Sequence, residues 1–496
     1  MVETSSSTPG PAAQHFLSGP HLLYLGGEFV AAADGRTFGT VDPSTGAAIT
    51  QVAHAGPADV SAAVAAARAA LEGSWGALSA ADRGTLLTRL ADLIEGNADQ
   101  LAELEALDGG KPISVTRALD IPAAAAQFRY FAGWPTKLEG ETIPVAVPNT
   151  LCYTRKEPVG VCAQIIPWNF SLLMAAWKIG AALAAGCTVV VKPAEQTPLT
   201  VLRLAELVAE AGFPPGTVNV LTGDGTTGAA LVEHPGVDKI VFTGSTAVGR
   251  EIGAKAGAQL KPVTLELGGK SPNIILPDAD LEAAIAGAFD GIYFNTGQAC
   301  NAASRLFVHE SVFDEVVAGL LTRVEKAQVG PALDPATELG PLISVEQYLR
   351  VRGYLQEGVT AGATLKAGTV PPVSPQGGYF VEPALFVDVD PRMRICREEI
   401  FGPVLVAAPF EHLDEVVRQA NDTDYGLAAG IWTQHLGRAH TLAARLRAGS
   451  VYLNTWAPGD PAAPFGGVKA SGVGREMGRA GVEAYLEPKT VWATLA

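Results

Sequence analysis

Cysteine is scarce in this chain of 496 residues: there are five, Cys152, Cys162, Cys187, Cys300 and Cys396, and no two form a C-x-x-C pair. An odd, widely spaced set excludes a disulfide framework and offers no zinc or thiol-exchange motif, so no metal is expected and a reducing cytoplasm suits the chain best. Charge is also thin, at 17%, and lopsided, with 35 basic against 51 acidic residues for a formal net charge of -16. Such a surface repels phosphate backbones and anionic headgroups, which speaks against nucleic-acid and membrane partners. No Lys or Arg occurs from Met1 to Gly35, so the basic region that opens a secretory signal is missing. That stretch is rich in Ser, Pro and Ala, and residues 1–15 read as a disordered tail. The longest apolar stretch, Met174 to Val191, is broken by Lys178 and Gly186 and is short for a membrane span.

What is present is interior. Hydrophobic residues make up 48% of the chain, and the length calls for two or three lobes, each with its own core. Ala58 to Ala70 and Ala81 to Leu107 carry apolar residues at helical spacing, so the first lobe is expected to begin with helices. From Val159 the pattern changes. VGVCAQIIP, CTVVVKP, TVNVLTG and KIVFTGS read as buried strands, with helices SLLMAAWKIGAALAAG and LTVLRLAELVAEAG between them. This alternation predicts parallel βαβ units covered on both faces, a nucleotide-binding type of sheet. After Lys270 a second α/β series follows: NIILP, a helix from Leu281 to Phe294, SRLFVH and a helix from Phe313 to Gln328. It resumes beyond a Pro/Gly-rich connector, Val370 to Gly378, through YFVEPALFVDV, VLVAAPF, GLAAGIWT and SVYLN. Glu139 to Arg155 and Val482 to Leu495 read as β material at the margins, where unpaired edges meet across subunit interfaces.

Several positions could carry chemistry. Cys300 sits in FNTGQACNAASR among small residues, with Gly297 permitting a tight backbone turn. By local sequence it is a buried structural thiol or a nucleophile, and the second role needs a partner for its proton. Glu266, in TLELGGKSP, is a candidate partner, with a helix cap or ion pair as its plain alternative. Asn169, in IIPWNF, follows a buried strand, where an amide donor could hold an oxyanion or cap the helix beginning near Ser171. Lys192 and Glu195, in VVVKPAEQTP, stand at a strand end, where a carboxylate can accept ribose hydroxyls or simply form a surface ion pair. Phe242 to Arg250, FTGSTAVGR, has the order strand, Gly turn, helix, but Gly244 and Gly249 do not give the G-x-G-x-x-G spacing.

Together these segments closely resemble the aldehyde dehydrogenase superfamily, from about Leu22 to the C-terminus. The matching pieces, in order, are PWNF, KPAEQTP, GFPPGTVNV, FTGST..VG, LELGGKSP, GQAC, EEIFGPV and PFGGVKASGVGRE. The resemblance implies an α/β fold with a Rossmann-like NAD-binding domain, 16–135 with 158–269. It adds a catalytic domain, 270–477, and a small β oligomerisation element, 136–157 with 478–496, in a homodimer or homotetramer. It further implies NAD-dependent oxidation of an aldehyde to the acid. Cys300 attacks the carbonyl, and Asn169 with the Cys300 backbone N–H holds the oxyanion. Glu266 activates the water that hydrolyses the thioester, and Lys178 supports Asn169. For NAD, the resemblance places Lys192 and Glu195 at the adenine ribose, Ser245 at the pyrophosphate, Glu399 at the nicotinamide ribose beside Phe401, and Leu267 at the carboxamide. Ile165, Pro167, Trp168, Gly225, Phe242 and Gly244 complete that surface. A carboxylate at Glu195 repels a 2′-phosphate, which favours NAD over NADP.

The substrate is less constrained. Cys300 lies between Ala299 and Asn301, and Gly459 and Ala463 stand where relatives commonly carry larger residues. Phe170, Met174, Trp177, Trp456 and Phe465 suggest an apolar channel for aliphatic or aromatic aldehydes. Two other activities compete. One is a CoA-acylating semialdehyde dehydrogenase, against which Glu266 argues because that subgroup generally lacks a base there. The other is a hydrolase using Cys300 and Glu266.

Overall fold

The computed structural model describes residues 8–495. Pro11–Leu17 form a helix, where a tail had been expected through residue 15. Its packing explains the difference: the Gly10 N–H donates to Glu103 at 2.8 Å, Gln100 donates to the Ala12 carbonyl, and Ala13 is buried. The first seven residues of that expected tail lie outside the described residues.

After the helix Pro11–Leu17 the first lobe continues with strands before its longer helices. Leu23–Leu25 and Glu28–Val30 pair as a hairpin on the edge of the main sheet, and Thr37–Val41 pairs with Ala48–Ala53. The expected helices then follow, but the span read as one from 81 to 107 is two, Ala80–Gly96 and Ala98–Gly109. Asn97 breaks it by donating through its amide to the Leu93 carbonyl and accepting from Arg203 at 2.9 Å. An amide that bonds its own helix end competes with the next turn.

Val161–Ile165, Thr188–Lys192, Val218–Val220, Lys239–Thr243 and Val263–Glu266 are buried strands of one parallel series. Their near-continuous apolar sequence suits a sheet covered on both faces. Going outward from Val161–Ile165, the next two strands in sequence lie on one side and the last two on the other. The order therefore reverses beside Val161–Ile165, where open α/β sheets form their ligand crevice. The second sheet has seven strands, parallel except for Thr364–Ala367 at one edge. The chain then returns to the first sheet: Gly472–Val473 pairs antiparallel with Leu265 and Glu266, so the end of the 270–477 span is built into the sheet of the first lobe.

Thr150–Pro158 pairs along its length with Leu486–Thr494, and Thr142–Ile143 adds a short third strand. This small sheet leaves Leu151 and Trp492 exposed. Among the described residues no helix is long and apolar enough to cross a membrane.

Candidate active site

Three chain segments converge where the first sheet reverses order. The turn after Val161–Ile165 carries Asn169, the end of Val263–Glu266 carries Glu266, and the loop before Arg305–His309 carries Cys300. That loop is strained. Asn295, Thr296 and Gly297 all take positive φ, at 50°, 54° and 74°, a conformation that non-glycine residues hold only when their surroundings enforce it. Here Asn295 donates to the carbonyls of Asn169 and Gln298, and Thr296 donates to Gly340. Only glycine fits at 297, because a Cβ would lie 2.0 Å from the Gly402 carbonyl oxygen.

Asn169 is brought to Cys300 by this loop: its side-chain amide donates to the Gln298 carbonyl at 2.9 Å. It does not cap the following helix, whose first-turn N–H groups donate no bond to it. The Ser171 and Leu172 N–H groups donate instead to Glu105, at 2.9 and 3.4 Å. Cys300 is half-buried, whereas the other four cysteines are buried, and all five are free. Burial, followed by the charges of Glu266 and Glu399, pushes the Cys300 thiol up to about 12. A thiol raised that far needs a base to become the attacking thiolate.

Glu266 neither caps a helix nor forms an ion pair. Both carboxylate oxygens are buried without a hydrogen-bond partner, and a Cβ at Gly466 would meet one of them at 2.4 Å. Burial and the neighbouring Glu476 hold its pKa well above the ordinary carboxylate range, with Lys178 opposing. Such a carboxyl can hold or accept a proton near neutral pH. Lys178 is fully buried, and its ammonium is bound by Glu476 at 2.7 Å and by the Thr243 hydroxyl at 2.7 Å. No hydrogen bond joins Lys178 to Asn169, whose amide is held from the other lobe by Gln298. Glu476 closes the GRE of PFGGVKASGVGRE, a piece read from the sequence without a role for that residue.

The expected cofactor residues line the same edge. Glu399 accepts the Gly269 N–H at 2.9 Å, and burial raises its carboxyl to about 7. Trp168 and Phe401 meet edge to face with centroids 5.2 Å apart. Lys192 is buried and reaches the half-exposed Glu195 at 3.3 Å, so the ion-pair alternative is realised at the strand end. Ser245 caps the helix Thr246–Ala258 by accepting from Val248, with Phe242 and Gly244 immediately before it. Leu267 packs on Gly249, where a Cβ would fall 2.3 Å from its side chain. Gly225 starts the helix Gly225–Glu233 with open space beside it. Ile165 ends its strand and lies across from Gly228, and Pro167 follows in the same turn.

The expected substrate residues fall into three groups. Phe170 stacks on Phe294 at 6.1 Å. Trp177 meets Phe465 edge to face at 5.4 Å, with its indole N–H buried and unpartnered, and Met174 is buried one turn earlier. Trp456 contacts Tyr452 and covers Gly291 and Gly430, so part of its ring belongs to the core of the second lobe. Gly459 has open space around it.

The sequence model of the Aldehyde dehydrogenase family matches residues 29–491. Human mitochondrial aldehyde dehydrogenase is 49% identical over 95% of this chain and 91% of its own. Human retinal dehydrogenase 2 is 47% identical over the same shares of the two chains, 95% and 91%. A solved structure of the Bacillus cereus aldehyde dehydrogenase in complex with NAD+ superposes with a TM-score of 0.97, at 49% identity and 99% coverage of each chain.

Proposed function

This chain belongs to the aldehyde dehydrogenase family, and from that premise we propose that it oxidises apolar aliphatic or aromatic aldehydes to carboxylic acids with NAD. The observation that carries the reading is the meeting of a half-buried thiol at Cys300, an amide donor at Asn169 and an unpartnered carboxyl at Glu266 on one crevice.

In this reading Glu266 takes the thiol proton, which its raised pKa suits it to hold. The Cys300 sulfur then bonds the carbonyl carbon, and the carbonyl oxygen becomes an alkoxide. Asn169 spends one amide hydrogen on Gln298, leaving the second to hold that oxygen together with the Cys300 N–H. After the hydrogen on carbon has left as hydride, Cys300 carries a thioester. Glu266 releases the thiol proton to solvent, takes a proton from the water that attacks the thioester and returns it to the leaving sulfur, so the acid departs as the thiol is restored.

The residues present fit a dinucleotide. Ser245 fixes a helix N-terminus for a pyrophosphate, Lys192 and Glu195 offer ribose partners at a strand end, and Glu399 is held by Gly269 at the other end of the crevice. NAD, when bound, supplies the hydride acceptor. Residues 16–135 with 158–269 form the cofactor lobe in this assignment, and 270–477 the catalytic lobe. The sheet of 136–157 with 478–496, with its exposed Leu151 and Trp492, pairs subunits in a homodimer or homotetramer. A cytoplasmic setting fits five free cysteines.

A panel of aldehydes assayed with NAD and NADP, with and without CoA, tests this. NADH and free acid should form without CoA, fastest with NAD and apolar aldehydes, and Cys300→Ala should abolish NADH formation while leaving the fold and NAD binding in place. Comparable kcat/KM for short polar semialdehydes and phenylacetaldehyde-like compounds would overturn the substrate assignment. Unchanged activity in the Cys300→Ala protein would overturn the mechanism.

A further inference from the structure

Behind Phe170 lies a charged group that the reaction above does not use. The Lys111 ammonium stands 3.8 Å from the centroid of the Phe170 ring, on whose stack Phe294 also lies. It is bound directly by Asp120, and both residues are almost wholly buried, at 2% and 0% exposure. Asp120 ends a π-helical turn, Thr116–Asp120, a rare irregularity that is frequent at functional sites. Burying an ion pair costs desolvation that its own attraction seldom exceeds, so its position calls for a reason beyond stability.

That reason is where Phe170 sits. It follows Asn169 in sequence, while Phe294 opens the strained turn that leads to Cys300. Phe170 also packs against the cores of both lobes. The Lys111 segment itself spans the lobes: Ile113 donates to the Ala332 carbonyl at 2.8 Å, and Gly340 approaches Gly110 so closely that a Cβ there would lie 2.0 Å from its carbonyl oxygen. A desolvated cation over an aromatic face is attracted by the ring's quadrupole, which favours the ring lying face-on to the ammonium.

We propose that Lys111, anchored by Asp120, is a positioning residue that holds the Phe170–Phe294 stack and thereby sets the Asn169 amide against the Cys300 thiol. The inference rests on the aldehyde-oxidising reading. It predicts that loss of Lys111 acts on the aldehyde half-reaction through Phe170 and leaves cofactor binding alone.

A mutant cycle tests it with the full-length protein: wild type, K111M/D120L, F170L and the triple variant, assayed for kcat/KM with a saturating NAD concentration and for NADH binding by fluorescence. Removing both charges together avoids stranding Asp120 in the interior. K111M/D120L should lose about tenfold in kcat/KM for aldehyde with unchanged NADH affinity. In the F170L background the same change should cost almost nothing further, because the ring through which it acts is gone. Losses that multiply across the cycle, or a K111M/D120L protein with wild-type kcat/KM, would overturn the inference. Wild-type protein that forms no NADH with any aldehyde would overturn the enzyme reading instead.

Discussion

The Gly269 N–H donates to the Glu399 carboxylate at 2.9 Å, while a Cβ on the same glycine would lie 2.3 Å from the Cys300 carbonyl oxygen. One residue thus joins the proposed cofactor anchor to the proposed nucleophile, and only hydrogen fits there. Gly269→Ala must push the Cys300 backbone or the Glu399 carboxylate aside. The expected result is a loss of kcat/KM of about 100-fold or more, as for other small misplacements of reacting groups. Thermal melting should report a cost of about 1–3 kcal/mol from overpacking.

The cofactor-free Cys300 thiol, pushed up to about 12, should react sluggishly with iodoacetamide, and its alkylation rate should still climb above about pH 9 because only the thiolate attacks. Glu266→Gln removes the largest neighbouring charge opposing ionisation. The pH-rate curve should then move to lower pH. A plateau already reached near neutral pH in the wild-type protein would contradict this electrostatic picture.

Glu195 is half-exposed and partners the buried Lys192 at 3.3 Å. Glu195→Gln removes a negative charge that repels a 2′-phosphate and frees the ammonium to meet it. Activity with NADP should rise about tenfold in kcat/KM relative to NAD. An unchanged ratio of the two cofactors would remove Glu195 from the ribose site.

Lys270 is buried with an unpartnered ammonium. Burial and then the charge of Arg305 lower its pKa from 10.5 to about 7. The unfolded lysine therefore holds a proton that the folded one has lost between those values, so its destabilising effect is full below the folded pKa and fades as pH rises toward the unfolded one. Lys270→Met should raise the melting temperature most near about pH 6, by up to about 4 kcal/mol in stability. The gain should shrink toward about pH 10, and a pH-independent effect would rule out this origin.

Glu476→Gln should shift the acidic limb of the thioester-hydrolysis profile to lower pH. The variant removes the negative charge that, after burial, most raises Glu266, and it leaves the Lys178 ammonium to stabilise the ionised carboxylate. Single-turnover rates of acid release across pH measure it, and an unshifted limb would separate Glu476 from the Glu266 proton.

Much of the site was legible because its signals are local. Asn169, Glu266 and Cys300 each lie at the end of a buried strand or in the loop beside one; periodicity placed those strands, and the resemblance carried by the neighbouring motifs proposed the residues. Lys111 and Glu476 were not legible as partners. Lys111 acts on a ring far along the chain, and Glu476 is 298 residues from the lysine it binds. The helix Pro11–Leu17 was hidden for the same reason: its composition resembles a tail, and Glu103 and Gln100 hold it in place.

The sequence by itself determined two α/β series and the order of the motifs, since hydrophobic period and short motifs depend on neighbouring residues, and Cys300, Asn169 and Glu266 entered as candidates through the family resemblance that those motifs carry. Only the tertiary structure decided which charge meets which: that Lys178 meets Glu476, that Glu266 stands without a hydrogen-bond partner, and that burial pushes the Cys300 thiol up. Burial and distance between remote segments set those properties, and neither exists until the chain has closed on itself.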